Sequence, residues 1–162
     1  MRGIEMRQAI LVFVFAVVFA AAVAILFWSA AFAHSGATGI VKQRMDAMKS
    51  VAASMKAIAK ADWSQPASAR VTIATEARAI SRHAAQIVIL FPEGSGQHPT
   101  EASDAIWSDA EGFAAEAEAM KRAASNLAKT AATLSNSEDV APHLQSLGQT
   151  CKSCHADYRV KR

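Results

Sequence analysis

From about Gly39 onward, apolar residues return every three or four positions over long stretches, the period of helices buried along one side. In the first stretch, about Gly39 to Ala61, the stripe is Val41, Met45, Met48, Ala52, Met55 and Ala59, with Arg44 one turn before Met48. Asp62 to Gln65 break it, Pro66 suits the first turn of a second helix, and Ser64 is a candidate cap. The second helix is expected to reach about Leu90. Ile73, Ala77, Ile80, Ala84 and Ile87 form its inner face; Arg70, Glu76, Arg78 and Arg82 lie mostly outside. Phe91-Pro92-Glu93-Gly94-Ser95-Gly96 then stops the helix and opens a loop to about Ser103, long enough to be a functional or contact element.

A third helix is predicted from Ser103 or Asp104 on. Its stripe is the most regular in the chain: Ile106, Ala110, Phe113, Ala117, Met120, Ala124, Leu127, Ala131 and Leu134. So many alanines permit close helix approach, or leave room for something bulky. A short turn follows at Leu134-Ser135-Asn136-Ser137, with Ser137 as the expected cap and Pro142 limiting where the last helix properly starts. That helix carries Leu144, Leu147, Cys151, Cys154 and Tyr158 on the same rhythm. Four such segments, joined by two short turns and one longer loop, predict an all-α, antiparallel up-down-up-down four-helix bundle.

The last helix also carries the chemistry. Cys151-Lys152-Ser153-Cys154-His155 is a C-x-x-C-H run, the pattern of c-type haem attachment, and it uses both cysteines of the chain. At i, i+3 and i+4 on a helix, Cys151, Cys154 and His155 share one face. Two thiols can then add to the two haem vinyl groups while the imidazole reaches the iron. Random placement of the same residues would give this pattern roughly once in a few thousand chains. Three other readings compete. A dithiol redox motif would want its first cysteine at a helix N-terminus after a strand. A zinc site needs four ligands, and only His143 is close enough in sequence to add one. A disulfide between the two cysteines would be strained on a helix. The apolar seam runs into the cysteines, so one covalently bound haem c is expected inside the bundle at their end.

Composition narrows the partners. The 162 residues carry 17 Lys and Arg against 14 Asp and Glu, interspersed along the helices. No basic block with interleaved aromatics points to nucleic acid. Alanine is abundant, while Gly and Pro cluster between the periodic segments, as an all-α domain requires. Ahead of it, Ala9 to Ala33 contains no charge and ends in Ala31-Phe32-Ala33, the form of a signal-peptidase site. Residues 1–33 are therefore read as a signal peptide. The stretch is also long enough to span a bilayer, so an uncleaved membrane anchor is the alternative. Either way, residues 34–162 are expected in the periplasm.

With those residues in place, the chain from Gly39 to Arg162 resembles cytochrome c prime, the four-helix-bundle class of c-type cytochromes that includes low-spin relatives. The resemblance rests on Gly148 to Arg159 around the haem motif, on Val41-Lys42-Gln43-Arg44-Met45-Asp46-Ala47-Met48-Lys49, on Leu90 to Ser95, and on Ala105-Ile106-Trp107 with Phe113 downstream. It implies thioethers at Cys151 and Cys154, His155 as proximal iron ligand, and the Arg159 cation beside that imidazole. It further implies that Arg44 pairs with a haem propionate, that Met48 occupies the distal position or ligates the iron, and that Trp107 and Phe113 lie near the haem edge and distal pocket. Plain structural roles compete for several of these. Met48 on a helical stripe can be core filler, with Met45 as a weaker rival ligand; Arg44 can be a solvated helix residue. Trp107 and Phe113 belong to the core on any reading. His83 is read as structural, and His34, His98 and His143 as exposed.

Two function classes follow. One is electron transfer through an Fe(III)/Fe(II) haem, favoured by ligation from His155 and Met48. The redox partner protein is not identified by the sequence. The other is binding of a small gas, nitric oxide or carbon monoxide by the resemblance, at an open sixth position behind Met48 and Phe113. An enzyme is disfavoured, because peroxidase-type chemistry wants a polar distal acid/base pair and the first and third stripes offer Met, Ala and Phe. Relatives often pair through their first two helices, so a homodimer is compatible with the sequence.

Overall fold

The computed structural model describes residues 37–97 and 99–160, and the leader, His34 and His98 lie outside them. Four long helices of similar length dominate: α1 (Gly39–Ala59), α2 (Pro66–Gln86), α4 (Ala110–Thr130) and α5 (Ser137–Tyr158). A four-residue helix, α3 (Ala105–Ser108), precedes α4. Single 3-10 turns, Val88–Leu90 and Ala131–Thr133, finish α2 and α4.

Side-chain pairs fix the helix directions. Ser54 of α1 meets Glu76, while Arg44 meets Leu90; Arg70 of α2 meets Leu134, while Ser81 meets Ser125. Ser153 of α5 meets Glu116, while Tyr158 meets Asp109. In each case rising numbers on one helix meet falling numbers on the next, so neighbours run antiparallel and the expected bundle is the observed one. Around its ring, α2 and α4 pack most closely, α1 lies on α2, α5 lies on α4, and the α1–α5 seam is the least closed.

The inner faces of α2 and α4 match the expected stripes. Ile73, Ala77, Ile80, Ala84 and Ile87 are buried, as are Ile106, Phe113, Ala117, Met120, Ala124, Leu127, Ala131 and Leu134. Leu147 and Tyr158 do the same for α5.

Several local expectations need correction. The buried positions of α1 are Arg44, Val51, Ser54 and Ile58, whereas Met45, Ala52 and Ala59 point to solvent. The true inner face is turned by about one residue, some 100°. Apolar residues occur all round this helix, and its β-branched members, Val51 and Ile58, mark the buried side better than its alanines. The third segment is not continuous either. It breaks at Asp109, whose side chain caps α4 by accepting from the Gly112 N–H at 3.1 Å, and this leaves Ala110 exposed. Ser64 does not cap α2; its own N–H donates to Asp62, and Gln65 stands at the cap. The cap of α5 is Asn136 rather than Ser137, accepting from the Glu138 and Asp139 N–H groups at 2.8 and 3.0 Å. Helix α5 therefore starts before Pro142, which lies inside it and cannot donate to the Glu138 carbonyl. His143 is half-buried.

Candidate haem site

The haem-motif end of α5 is built against a long loop, residues 91–104, that closes this end of the bundle. The loop turns tightly at Pro92, where the Ser95 N–H bonds back to the Pro92 carbonyl, and Gly94 supplies the required φ of +75°. Three anchors hold it. Trp107, half-buried on α3, donates its indole N–H to the Phe91 and Pro92 carbonyls at 3.1 and 3.2 Å. Behind it, a Cβ added at Gly96 would stand 3.0 Å from the Trp107 ring, so any larger residue there would have to push the indole aside. The end of α5 forms a short antiparallel bridge to the loop, Ser103 N–H to Tyr158 carbonyl and Val160 N–H to Glu101 carbonyl, and Arg159 donates twice to the Glu101 carboxylate.

The third anchor is Arg44. Only 6% of it is exposed, and its guanidinium donates to the Leu90 carbonyl at 2.6 Å, the Ser95 carbonyl at 3.0 Å, the Thr100 hydroxyl and the Ser95 hydroxyl. The cation also sits 4.0 Å over the Phe91 ring. Three of its five N–H groups are thus engaged by the loop and a fourth by Leu90 just before it, leaving one for a propionate or water. Burial favours its uncharged form, but the surrounding carbonyls and the aromatic face compensate the charge.

Phe91, Phe113 and Tyr158 stack edge to face, with Phe113 between the other two at 5.1 and 5.3 Å. Phe113 is therefore core at the motif end. On α1, Met48 is half-buried and packs against the core, while Met45 is 36% exposed. Met48 is thus the more buried of the two methionines.

Cys151 and Cys154 are half-buried free cysteines, and Cys154 packs against the core. Burial, then the nearby Glu116 carboxylate, pushes the Cys154 thiol up to about 11; burial also raises Cys151. These are protonated thiols, unlike the low-pKa thiolate of a dithiol redox centre. His155 is exposed as a whole residue, yet partial burial of its ring, followed by the positive charge of Arg159, lowers its pKa. Its imidazole is neutral at neutral pH, the form that binds a metal. Among the described residues no cluster of three or more His, Cys, Asp or Glu could hold a metal on its own, so a zinc reading gains nothing.

Sequence reasoning missed one member of this neighbourhood. Glu116 of α4 accepts from the Ser153 hydroxyl at 2.7 Å, placing a carboxylate against the segment between the two cysteines. It falls one position before the stripe residue Ala117, and nothing in its spacing distinguishes it from a solvated glutamate.

Two uncharged thiols and a neutral imidazole, close together on α5 with Cys154 against the core and Glu116 of α4 nearby, make a donor set suited to covalent haem. Comparison with known proteins decides the family. A family model described as Cytochrome C' matches residues 39–159. The chain belongs to the cytochrome c' family. It is 36% identical over 121 residues to a cytochrome c' of Pararhodospirillum photometricum, covering 74% of this chain and 94% of that one. It is 38% identical over 88 residues to the cytochrome c' of Rhodospirillum rubrum, a match that spans 54% of this chain and 59% of the relative. The cytochrome c' structure from Rhodopseudomonas palustris superposes with a TM-score of 0.64 at 24% identity, covering 78% of this chain and 99% of that one. As a cytochrome c', the protein carries covalently attached haem c.

Proposed function

We propose that this cytochrome c' is a periplasmic electron carrier and not an enzyme, holding its haem through thioethers at Cys151 and Cys154 with His155 as proximal ligand and Met48 as the sixth. When bound, the haem iron supplies a one-electron Fe(III)/Fe(II) couple. The chain's own residues do the rest. His155 offers a neutral imidazole, with Arg159 and its partner Glu101 tying that end of α5 to the loop. Phe113, Phe91 and Tyr158 keep the adjoining core apolar. The observation that carries the choice is the inward turn of Met48 on the buried side of α1, one turn from Arg44, since a methionine thioether stabilises the reduced iron. Arg44 keeps one N–H for a propionate, its main work being to hold the loop. Trp107 and Phe113 act through packing.

The second reading is binding of a small gas behind Met48. It is favoured by the apolar side chains on that side and by fold neighbours from Alcaligenes xylosoxidans that were solved as nitric oxide complexes, with TM-scores of 0.60 and 0.61. Optical and electron paramagnetic resonance spectra of the ferric protein separate the two. The carrier reading expects a six-coordinate low-spin signal that is lost in Met48→Ala; a five-coordinate high-spin wild type assigns the protein to gas binding.

Another fold neighbour is described as a cytochrome c' with ligand-controlled dimer dissociation, and sedimentation with and without carbon monoxide tests whether this chain forms a homodimer of that kind. The periplasmic assignment rests on the leader, and N-terminal sequencing of protein made with residues 1–33 reads whether it is a cleaved signal or a retained anchor. Among the described residues no helix is long and apolar enough to cross a membrane.

A further inference from the structure

Across the bundle from the α1–α5 seam, α2 and α4 leave an open cleft of about 390 Å³ lined by Arg78, Ser81, Arg82, Ser125, Ala128 and Lys129. Arg78 and Arg82 are i and i+4 on α2, a like-charge pair that weakens its own helix, and Lys129 adds a third positive charge from α4. None of the three forms an ion pair among the described residues. The surroundings offer no relief, because the chain has no acidic residue from Ala77 to Pro92 or from Ala119 to Ser137. The nearest acids along the two helices are engaged elsewhere: Glu76 accepts from Ser54, and Glu118 pairs with Lys121 and Arg122. Between the cations, the Ser81 and Ser125 hydroxyls bond to each other at 2.9 Å. Whichever oxygen accepts keeps its own proton to donate outward. Ala128 is buried and gives the cleft a floor with no bulk.

We propose that this cleft binds a phosphate group, with Arg78, Arg82 and Lys129 supplying charge and the serine pair supplying a hydroxyl donor. Two guanidiniums one turn apart can share the oxygens of a tetrahedral dianion, and that charge cancels the repulsion the site otherwise carries. Free phosphate compounds and phospholipid headgroups present this same group.

The test uses the haem-loaded protein at low ionic strength. Calorimetric titrations use inorganic phosphate and pyrophosphate; cosedimentation compares vesicles of phosphatidylglycerol with vesicles of phosphatidylcholine. Binding of a soluble probe identifies a small anion as the source, and binding of phosphatidylglycerol vesicles alone identifies a headgroup. In either case Arg82→Gln and Lys129→Gln should each weaken binding about tenfold, while Lys56→Gln, an exposed cation on α1, should leave it unchanged. Ser125→Ala should weaken it without any change of charge. All four variants should keep the wild-type haem absorbance, which reads that the fold and the haem site are intact. The proposal is overturned if no phosphate-bearing probe binds, or if Lys56→Gln weakens binding as much as the cleft variants, which would show general charge attraction only.

Discussion

The Tyr158 hydroxyl donates to the Asp109 carboxylate at 2.6 Å, tying the last turn of the helix that bears the haem motif to the cap of α4. The other carboxylate oxygen accepts from Gly112, so one aspartate caps a helix and receives a hydrogen bond from a second helix. Gly112 makes this possible, because a Cβ there would run into both the Asp109 carboxylate and the Tyr158 hydroxyl.

Gly112→Ala should therefore destabilise the protein. In an open helix the same change would stabilise it by about 1 kcal/mol. Here the methyl meets two polar groups fixed to each other, and overpacking of this kind costs about 1–3 kcal/mol. Thermal melts of the ferric protein read the sign; an unchanged or higher midpoint would show that the tie is loose.

The same pair predicts a dependence on pH at both extremes. The hydrogen bond from Tyr158, then that from Gly112, holds the Asp109 carboxyl below its ordinary 3.8. A depressed folded pKa contributes stability that is complete above 3.8 and is lost as the pH falls through the lower folded value. Asp109, chiefly through the same hydrogen bond, pushes the Tyr158 phenol up to about 12 from 10. That contribution is complete below pH 10 and disappears as the pH rises through about 12. Denaturant melts across pH should show Asp109→Asn with a flatter acid limb and Tyr158→Phe with a flatter alkaline limb than wild type. Parallel curves for wild type and variants would rule the coupling out.

Arg44 holds residues 91–104 more firmly than any other side chain. Replacing it with alanine removes three hydrogen bonds to the loop and one to Leu90, and should cost about 2 kcal/mol or more. Hydrogen exchange should speed up at loop amides between Ser95 and Ser103 while α2 and α4 stay protected. Arg44→Lys should restore little, since a lysine cannot reproduce the fork that meets Leu90, Ser95 and Thr100 together. Uniformly faster exchange across the bundle would mean a global effect.

The two cysteines should be separable by their covalent products. Cys151→Ala and Cys154→Ala should each retain haem through one thioether, with the reduced haemochrome band moved to longer wavelength because one vinyl group stays conjugated. The double variant should lose its colour in acidified acetone. A double variant that keeps its haem through that extraction would show that these sulfurs are not the tether.

The motif on α5 and the inner faces of α2 and α4 were legible in the chain itself. Cys151, Cys154 and His155 are close in sequence, so a single helix brings them together with no help from the rest of the molecule. The α2 and α4 stripes contain Ile, Leu, Met and Phe set among polar neighbours, and that contrast fixes their phase. Helix α1 lacks it. Alanine and methionine surround its axis, and the side that faced inward was settled only by what α2 and the loop present to it, namely Glu76 for Ser54 and the loop carbonyls for Arg44.

What the sequence by itself determined was therefore the chemistry that lies within one helix: the haem-binding run, the four helical segments and the antiparallel order that short connections impose. Tertiary structure alone decided whatever joins residues distant in the chain. It broke the third segment at Asp109 to let Tyr158 reach it, set Glu116 beside Ser153, turned Met48 in and Met45 out, and gathered Arg78, Arg82 and Lys129 into one cleft. The reason is physical. Periodicity records how each helix divides between core and solvent, whereas a hydrogen bond or a cluster of charges depends on the rotation and height of two helices relative to each other, which only their packing fixes.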